Sequence, residues 1–433
     1  MIDEKKLYHW AKEIYPIHRS ITGDGVRKTL SIIKKILPNF KIKSVPSGKK
    51  VFGWQVPMEW SIKDAYVKDK KGNKVIDFKK NNLHVVSYSD PIHKKMNLQD
   101  LRKRLYYLKN QPKAIPYITS YYSKHWGFCI SYEKLKRLKN GLYDVLIQSK
   151  FKKGFLNYGE IIIPGKSKEE ILISTNICHP SMGNNETSGI VVTTALAQWL
   201  SKLKNRRYTY RIIFIPETIG SVAYIFLNKS KLKKRVKAGY VVVCVGDEKV
   251  YSFLSSKEAN TLSDKAALYA LNRYVKKFKY YNFLERGSDE RQFCSPGIDL
   301  PICSIMRSKY GTYPEYHTSL DNLQFISGKG LYGSFKILKK TLEILEINFT
   351  YKNIYNSLCE PKLSNFNLRP PISFKKSYDY DKNLLNILLY ADGKRDLIEL
   401  SNKVKVDIFE VNQIVNRLVK SKLLKKLSKK NGK

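Results

Sequence analysis

Four short stretches of this 433-residue chain hold the side chains that could do chemistry. Cys178-His179-Pro180 leads through Asn185 and Glu186 to Ser188-Gly189; Pro216-Glu217-Thr218 begins a second stretch, and Val245-Gly246-Asp247 forms a third. The fourth is Tyr316-His317-Thr318-Ser319-Leu320-Asp321, preceded by Ser288-Asp289-Glu290-Arg291. Imidazoles with carboxylates are the ligand mixture of a catalytic zinc site, where about three protein donors leave a position open. Each residue also has a plainer role: Asp247 as a turn residue, Glu217 as the cap of a following helix, His317 as a hydrogen-bond partner of Asp321. Only two histidines occur after residue 125, His179 and His317, and both stand beside acids. Their joint appearance favours a metal site.

The elements around these stretches decide whether they can meet. Glu170–Asn176 and Tyr208–Ile215 read as buried strands, Gly239–Gly246 and Leu300–Met306 as two more, and Ser188–Leu203, Thr261–Phe278 and Gly330–Ile347 as helices. This alternation predicts an α/β fold with a central, mostly parallel sheet and helices on both faces. Loops at the strand ends are then the expected active site, and each of the four stretches falls on such a loop.

The flanks read differently. A helical start covers roughly Glu4 to Leu37. From Val51 to about Asn157, short Tyr-, Trp- and Val-rich strand candidates suggest a β-rich insertion, with a hairpin turn at Lys68–Lys74 and a helix over Asp100–Leu108. After a Pro-containing linker at Leu363–Pro371, three amphipathic stretches near Asp381–Tyr390, Asp396–Val404 and Val406–Lys420 end in Leu423–Leu427, the pattern of a winged helix-turn-helix. The predicted division is 1–50 with 158–362 as the α/β domain, 51–157 as the insertion and 372–433 as the winged helix. Asp407 and Glu410 stand where a DNA-reading helix wants basic groups, so docking or dimerisation is favoured over DNA binding.

Composition excludes several classes. The 42% hydrophobic and 27% charged residues suit a folded soluble protein, and no run reaches the roughly 18 apolar residues of a membrane span. Met1–Lys6 lacks the apolar core of a secretion signal, so a cytoplasmic location is expected. Six scattered cysteines make neither a disulfide framework nor a zinc knuckle. The net charge of +43 is spread along the chain as lysine, which fits a compositional bias better than a nucleic-acid surface.

With Arg19-Ser-Ile-Thr-Gly-Asp-Gly-Val-Arg27, Trp126-Gly-Phe-Cys129, Ser288–Gln292 and the stretches at His179–Gly189, Pro216–Ser221 and Tyr316–Asp321, the chain resembles a bacterial family of aminopeptidase-like proteins. These carry a β-rich insertion and a C-terminal winged helix on the di-zinc exopeptidase fold, and are often encoded among genes for surface polysaccharide biosynthesis. The resemblance implies metal ligands at His179, Asp247 and His317, with Glu217 as general base. It puts the bridging aspartate of the di-zinc enzymes on Asn185 and replaces their second glutamate by Thr218. Two carboxylates are then missing, which implies one zinc per chain rather than two, with Asn185 or Glu186 completing the ligand set.

Substrate contacts are expected from Asp289, Glu290 or Glu186 to a free amine, from Arg286, Arg291 or Arg307 to an anionic group, from Tyr310, Tyr313 and Tyr316 near His317, and from Trp54, Trp60 or Trp126 of the insertion. The expected function is zinc-dependent hydrolysis of an amide or peptide bond in a small substrate. Two alternatives stand beside it. One is an amidase or deacylase acting on an aminoacylated or acylated amino-sugar precursor; the other is a non-catalytic, ligand-binding regulator built on a degenerate peptidase domain. A homo-oligomer is compatible with all three.

Overall fold

The computed structural model describes residues 2–355, 359–368 and 375–427, with the backbone alone at 375–378. The chain divides into two compact units: Met1–Ala267 with Tyr274–Leu338, and Leu268–Arg273 with Lys339–Lys433.

In the first unit an eight-stranded sheet runs in the order Lys41–Pro46, Phe155–Ile163, Thr209–Ile215, Glu170–Asn176, Val236–Val241, Ile302–Met306, Tyr251–Leu254, Phe278–Tyr281. The four central strands are parallel, as expected; antiparallel pairings at Phe155–Ile163 and Tyr251–Leu254 make the whole sheet mixed. Every residue of Glu170–Asn176 is buried, so both faces of the sheet are covered at its centre. Helices Ser188–Lys202 and Ile219–Arg235 pack against it, and the apolar core gathers Leu172, Ile213, Ile215, Val222 and Val241. Gly189 permits the closest approach: a Cβ there would stand 2.4 Å from the Val242 carbonyl oxygen and 2.6 Å from Thr175 Oγ1.

Two expected elements are displaced. The strand expected over Gly239–Gly246 is paired over Val236–Val241, and Val242–Gly246 leaves the sheet while staying buried. The helix expected over Asp100–Leu108 spans Leu98–Arg102, where the Asn97 side chain accepts from Asp100 N–H at 2.8 Å; Leu105–Tyr106 instead pairs with Phe128–Cys129. A nonlocal partner outweighs local helix propensity there.

The insertion forms its own antiparallel sheet in the order Lys74–Asp77, Glu59–Lys68, Leu142–Lys152, Ile92–Asn97, over a core of Ala65, Val67, Ile76, Phe128, Val145 and Ile147. Trp60, on the Glu59–Lys68 strand, is buried in the core of the α/β body, and Trp126 carries the Arg104 guanidinium on its face, 5.0 Å from the ring centroid.

The second unit is a winged helix. Helices Lys375–Tyr390, Leu397–Val404 and Ile408–Lys420 are joined by a sheet whose centre strand is Thr350–Asn353, flanked by Asp392–Asp396 and Leu424–Lys426. Ile408 N–H, at the start of the second helix of the helix-turn-helix pair, donates to Tyr269 Oη at 2.8 Å; that hydroxyl also bonds Ser401 Oγ at 2.7 Å, and Arg273 pairs with Asp407 at 3.4 Å. Part of the expected linker, Leu363–Phe366, is a short 3₁₀ turn; Arg369–Pro371 lie outside the described residues. Among the described residues no helix is long and apolar enough to cross a membrane, and no cysteine is disulfide-bonded.

Candidate active site and metal centre

The parallel strands deliver their exits to one region. Directly after Glu170–Asn176 the chain passes Cys178 and His179 and makes one π-helical turn over Gly183–Thr187 before Ser188–Lys202 begins. Asp321 caps this turn, accepting from Asn184 N–H at 2.6 Å and Asn185 N–H at 3.0 Å. Its carboxylate is therefore engaged by backbone donors and Tyr313, and not by His317.

The turn brings Glu186 back onto His179. Glu186 Oε1 accepts the His179 backbone N–H at 3.1 Å, and Oε2 meets His179 Nδ1 at 2.8 Å. This is the arrangement in which a carboxylate fixes a histidine's tautomer and frees Nε2 for a metal. His179 Nε2 lies 3.7 Å from Glu217 Oε2. Burial opposes a charge on His179, but Cys178 and Glu186 reverse this and hold its pKa above the usual histidine range, so a metal has to displace a proton.

Glu217 follows the Thr209–Ile215 strand. Its backbone N–H donates to Cys178 Sγ at 3.2 Å, and Ser288 Oγ donates to its Oε1 at 2.9 Å. Asn176 Nδ2 in turn donates to Ser288 Oγ at 3.1 Å. About a quarter of the Glu217 side chain remains open, and burial raises its pKa against the opposing charge of His179. The next residue, Thr218, has φ 63°, an outlier for a β-branched residue, and sits at the start of Ile219–Arg235. Asp289 Oδ1 accepts from Thr218 N–H at 2.8 Å and from Ser221 Oγ at 2.8 Å, while Arg291 donates to Thr218 Oγ1 at 2.6 Å. Burial and then the Glu217 charge push the Asp289 carboxyl up to about 8.

His317, also at positive φ (54°), completes the group. Tyr316 stacks on its ring at 3.9 Å, and its ring centroid is 5.3 Å from that of His179. Its buried Nε2 has no hydrogen-bond partner, and burial, with His179 adding to it, pushes its pKa down to about 3, so it stays neutral and able to ligate. A cavity of about 300 Å³ joins these groups, lined by Cys178, His179, Glu217, Thr218, Ile219 and His317 from the α/β body, by Ile21 near the amino terminus, and by Trp54, Tyr117, Thr119, Tyr121 and Tyr122 between the first strands and the insertion.

Of the ligand, base and polar substrate-contact residues expected from the sequence, His179, Glu217 and His317 line this cavity, and Asp247, Asn185, Glu186, Asp289, Glu290, Arg291, Arg307 and Tyr316 do not. Asp247 is buried and bonded to four donors: Asn184 Nδ2 at 3.0 Å, Ser308 N–H at 2.9 Å, Ser308 Oγ at 3.0 Å and Lys249 N–H at 2.8 Å. Asn184 rather than Asn185 faces it; Asn185 contacts the sulfurs of Met182 and Cys244, each at 3.7 Å. Glu290 Oε1 accepts from Gly287 N–H, Ser288 N–H and Tyr310 Oη. Arg307 lies over the Tyr251 ring at 3.9 Å. Asp289, Glu290 and Arg291 thus hold the Glu217–Thr218 and Ser288 loops. Of the three tryptophans considered, Trp54 alone reaches the cavity. Asn184, Tyr117 and Tyr121 were not singled out, and Ser288 only as part of its stretch; their residue types carry no signal of chemistry by themselves.

Among the described residues, the one group of three potential metal ligands with donor atoms within 4.8 Å of one another is Cys178, His179 and Glu186. Burial pushes the Cys178 thiol up to about 11, and His179 Nδ1 is already bonded to Glu186, so these three atoms are not poised around one ion. At the cavity stand the His179 and His317 imidazoles, residue types that zinc accepts, with the Glu217 carboxylate beside them.

Residues 8–348 match the family described as a domain of unknown function, DUF4910, and residues 350–426 match a winged helix-turn-helix family. Over 421 residues the chain is 43% identical to a Clostridium acetobutylicum protein named for polysaccharide biosynthesis and an aminopeptidase-like domain, with 97% of this chain and 96% of that one covered. A crystal structure of a candidate peptidase from Clostridium acetobutylicum matches with a TM-score of 0.92 at 42% identity, over 98% of this chain and 96% of that one. The zinc aminopeptidase of Bacillus subtilis has a similar fold, with a TM-score of 0.58 at 13% identity over 80% and 95% of the two chains.

Proposed function

Because this chain belongs to the DUF4910 family and has the aminopeptidase-like fold, we propose that it is a zinc-dependent hydrolase that opens an amide or peptide bond of a small substrate. The observation that carries this reading is the convergence of His179, Glu217 and His317 on one cavity, with Glu186 behind His179 to set its free nitrogen. The relative's name is what brings surface polysaccharide biosynthesis to this chain as the setting.

The imidazoles of His179 and His317 would hold the ion, with the Glu217 carboxylate beside them. Bound there, zinc supplies Lewis acidity at neutral pH. One ion fits better than two. Two dications against a single cavity carboxylate would leave about three positive charges uncompensated, and Asp247 would have to shed four hydrogen bonds to contribute. Glu217 Oε2 takes the proton of the attacking water and returns it to the leaving nitrogen, while Ser288 holds Oε1 still. The aromatic walls exclude bulk water around this exchange.

The engaged Asp247 and the threonine after Glu217 favour the second reading, a non-catalytic ligand-binding protein. Metal analysis with an assay decides. Wild type should hold about one zinc, lose it in His179→Ala and His317→Ala, and hydrolyse some member of a panel of aminoacyl amides and N-acyl amino sugars. Glu217→Gln should keep the zinc and lose at least about 100-fold in turnover. Turnover unchanged in Glu217→Gln sinks the catalytic reading.

The winged helix is read as a docking module. The start of its second helix is occupied by Tyr269 and Arg273 of the same unit, which supports this over DNA reading.

A further inference from the structure

The β-rich insertion does more than wall the cavity. Its segment around Pro116 zips onto the His317 loop: Tyr117 N–H donates to the His317 carbonyl at 2.9 Å, and Ser319 N–H to the Ile115 carbonyl at 2.9 Å. The Tyr117 ring thereby packs against both imidazoles, its centroid 5.2 Å from that of His179 and 5.3 Å from that of His317. Four residues on, Tyr121 returns so that the two hydroxyl oxygens stand 2.7 Å apart, and both rings line the cavity beside Glu217.

Proton counting gives this pair a function. A phenol, with its ordinary pKa of about 10, keeps its proton at neutral pH, so both hydroxyls are O–H groups. Two O–H groups facing one another make one mutual hydrogen bond and leave one proton over. Neither oxygen has another partner among the described residues. A buried donor without a partner is costly, and donation from its neighbour polarises it further. No lysine or arginine lines the cavity, so a substrate oxygen that gains negative charge meets hydroxyl donors, and this pair is the one whose Tyr117 ring stands against both imidazoles.

We propose that the Tyr117–Tyr121 pair donates a hydrogen bond to the carbonyl oxygen of the scissile amide, making the insertion part of the catalytic apparatus. This rests on the hydrolase reading above. As the water oxygen bonds to the carbonyl carbon, its proton passes to Glu217 and the C=O electron pair moves onto the oxygen facing the tyrosines. Collapse restores C=O and breaks C–N, and the nitrogen takes the proton from Glu217. The bond to the tyrosine pair strengthens as charge develops and so acts on the transition state.

The test is the double variant Tyr117→Phe/Tyr121→Phe, which keeps both rings and removes both hydroxyls. With L-leucyl-7-amido-4-methylcoumarin and zinc-loaded protein, kcat should fall on the order of 100-fold with KM within a few-fold of wild type, and each single variant should fall less because one O–H remains. Zinc content should match wild type. A double variant with wild-type kcat overturns the proposal. One that loses its zinc overturns it too, because the tyrosines would then serve only to hold the imidazoles. Zinc-loaded wild type that hydrolyses nothing across the aminoacyl amide and amino-sugar panel refutes the hydrolase reading, and this proposal with it.

Discussion

Replacing Glu186 by glutamine separates an orienting carboxylate from a ligating one. The Glu186 side chain is fully buried and meets His179 twice, at the backbone N–H and at Nδ1. Glutamine keeps the shape but offers one uncharged oxygen to two donors. A hydrogen bond to a charged acceptor contributes about 1.5–3 kcal/mol and a neutral one about 1 kcal/mol, so His179 loses roughly 1–2 kcal/mol of orientation. At about 1.4 kcal/mol per factor of ten, zinc should bind roughly 5–30-fold more weakly, near the range of 10–100-fold for such outer partners. Competition of the metal-free protein against a chromophoric chelator at pH 7.5 measures this directly. The Glu186 charge also offsets the buried Arg19 guanidinium, so the variant will melt earlier and must be titrated well below its transition. Unchanged affinity refutes the orienting role. A loss as large as that of His179→Ala means instead that Glu186 binds the ion itself.

Two further outcomes follow from residues away from the cavity. His84 is buried with Nδ1 2.7 Å from the Cys129 carbonyl, and burial, partly offset by that bond, pushes its pKa down from 6.5 to about 4. The unfolded chain then takes up the proton first: its contribution is complete above pH 6.5, is lost as pH falls toward 4, and amounts to about 3 kcal/mol, so urea melts at pH 7 and pH 5 should differ less for His84→Gln than for wild type. Equal pH slopes would remove His84 as the cause. For the winged helix, fluorescence anisotropy with the full chain should find binding to duplex DNA that is independent of sequence and falls steeply by about 200 mM salt, as the +43 charge dictates; sequence preference that survives such salt would contradict the docking role.

Residues buried on both faces were the most legible part of the fold. Glu170–Asn176 can be read to the residue because its Ile171-Leu172-Ile173 centre, without polar alternation, marks a strand covered on both sides, and the Ser188 helix begins where small residues let it close on that strand. The same rule misplaces the Gly239–Gly246 strand. Val242–Val245 are as buried as the paired residues before them, and hydrophobicity measures burial, not pairing. Ladder partners far along the chain, such as Phe128 for Leu105, leave no local mark either.

At the site, legibility followed rarity and not importance. Seven histidines in the whole chain make His179 and His317 conspicuous, and an acid at a strand exit draws attention to Glu217. Thirty tyrosines make Tyr117 and Tyr121 indistinguishable from the rest until the insertion is folded onto the His317 loop. Charge alone misleads in the opposite direction: Asp247, Asp289 and Glu290 stand in the right loops, yet none of them lines the cavity, Asp247 spending both oxygens on N–H and O–H donors and Asp289 and Glu290 one oxygen each on the Thr218 and Ser288 loops. A carboxylate is placed for chemistry when the fold turns it into the cavity, and that depends on strand exits that meet only in the folded chain; Glu217, with one oxygen held by Ser288 and the other facing His179, is the one so placed among the described residues.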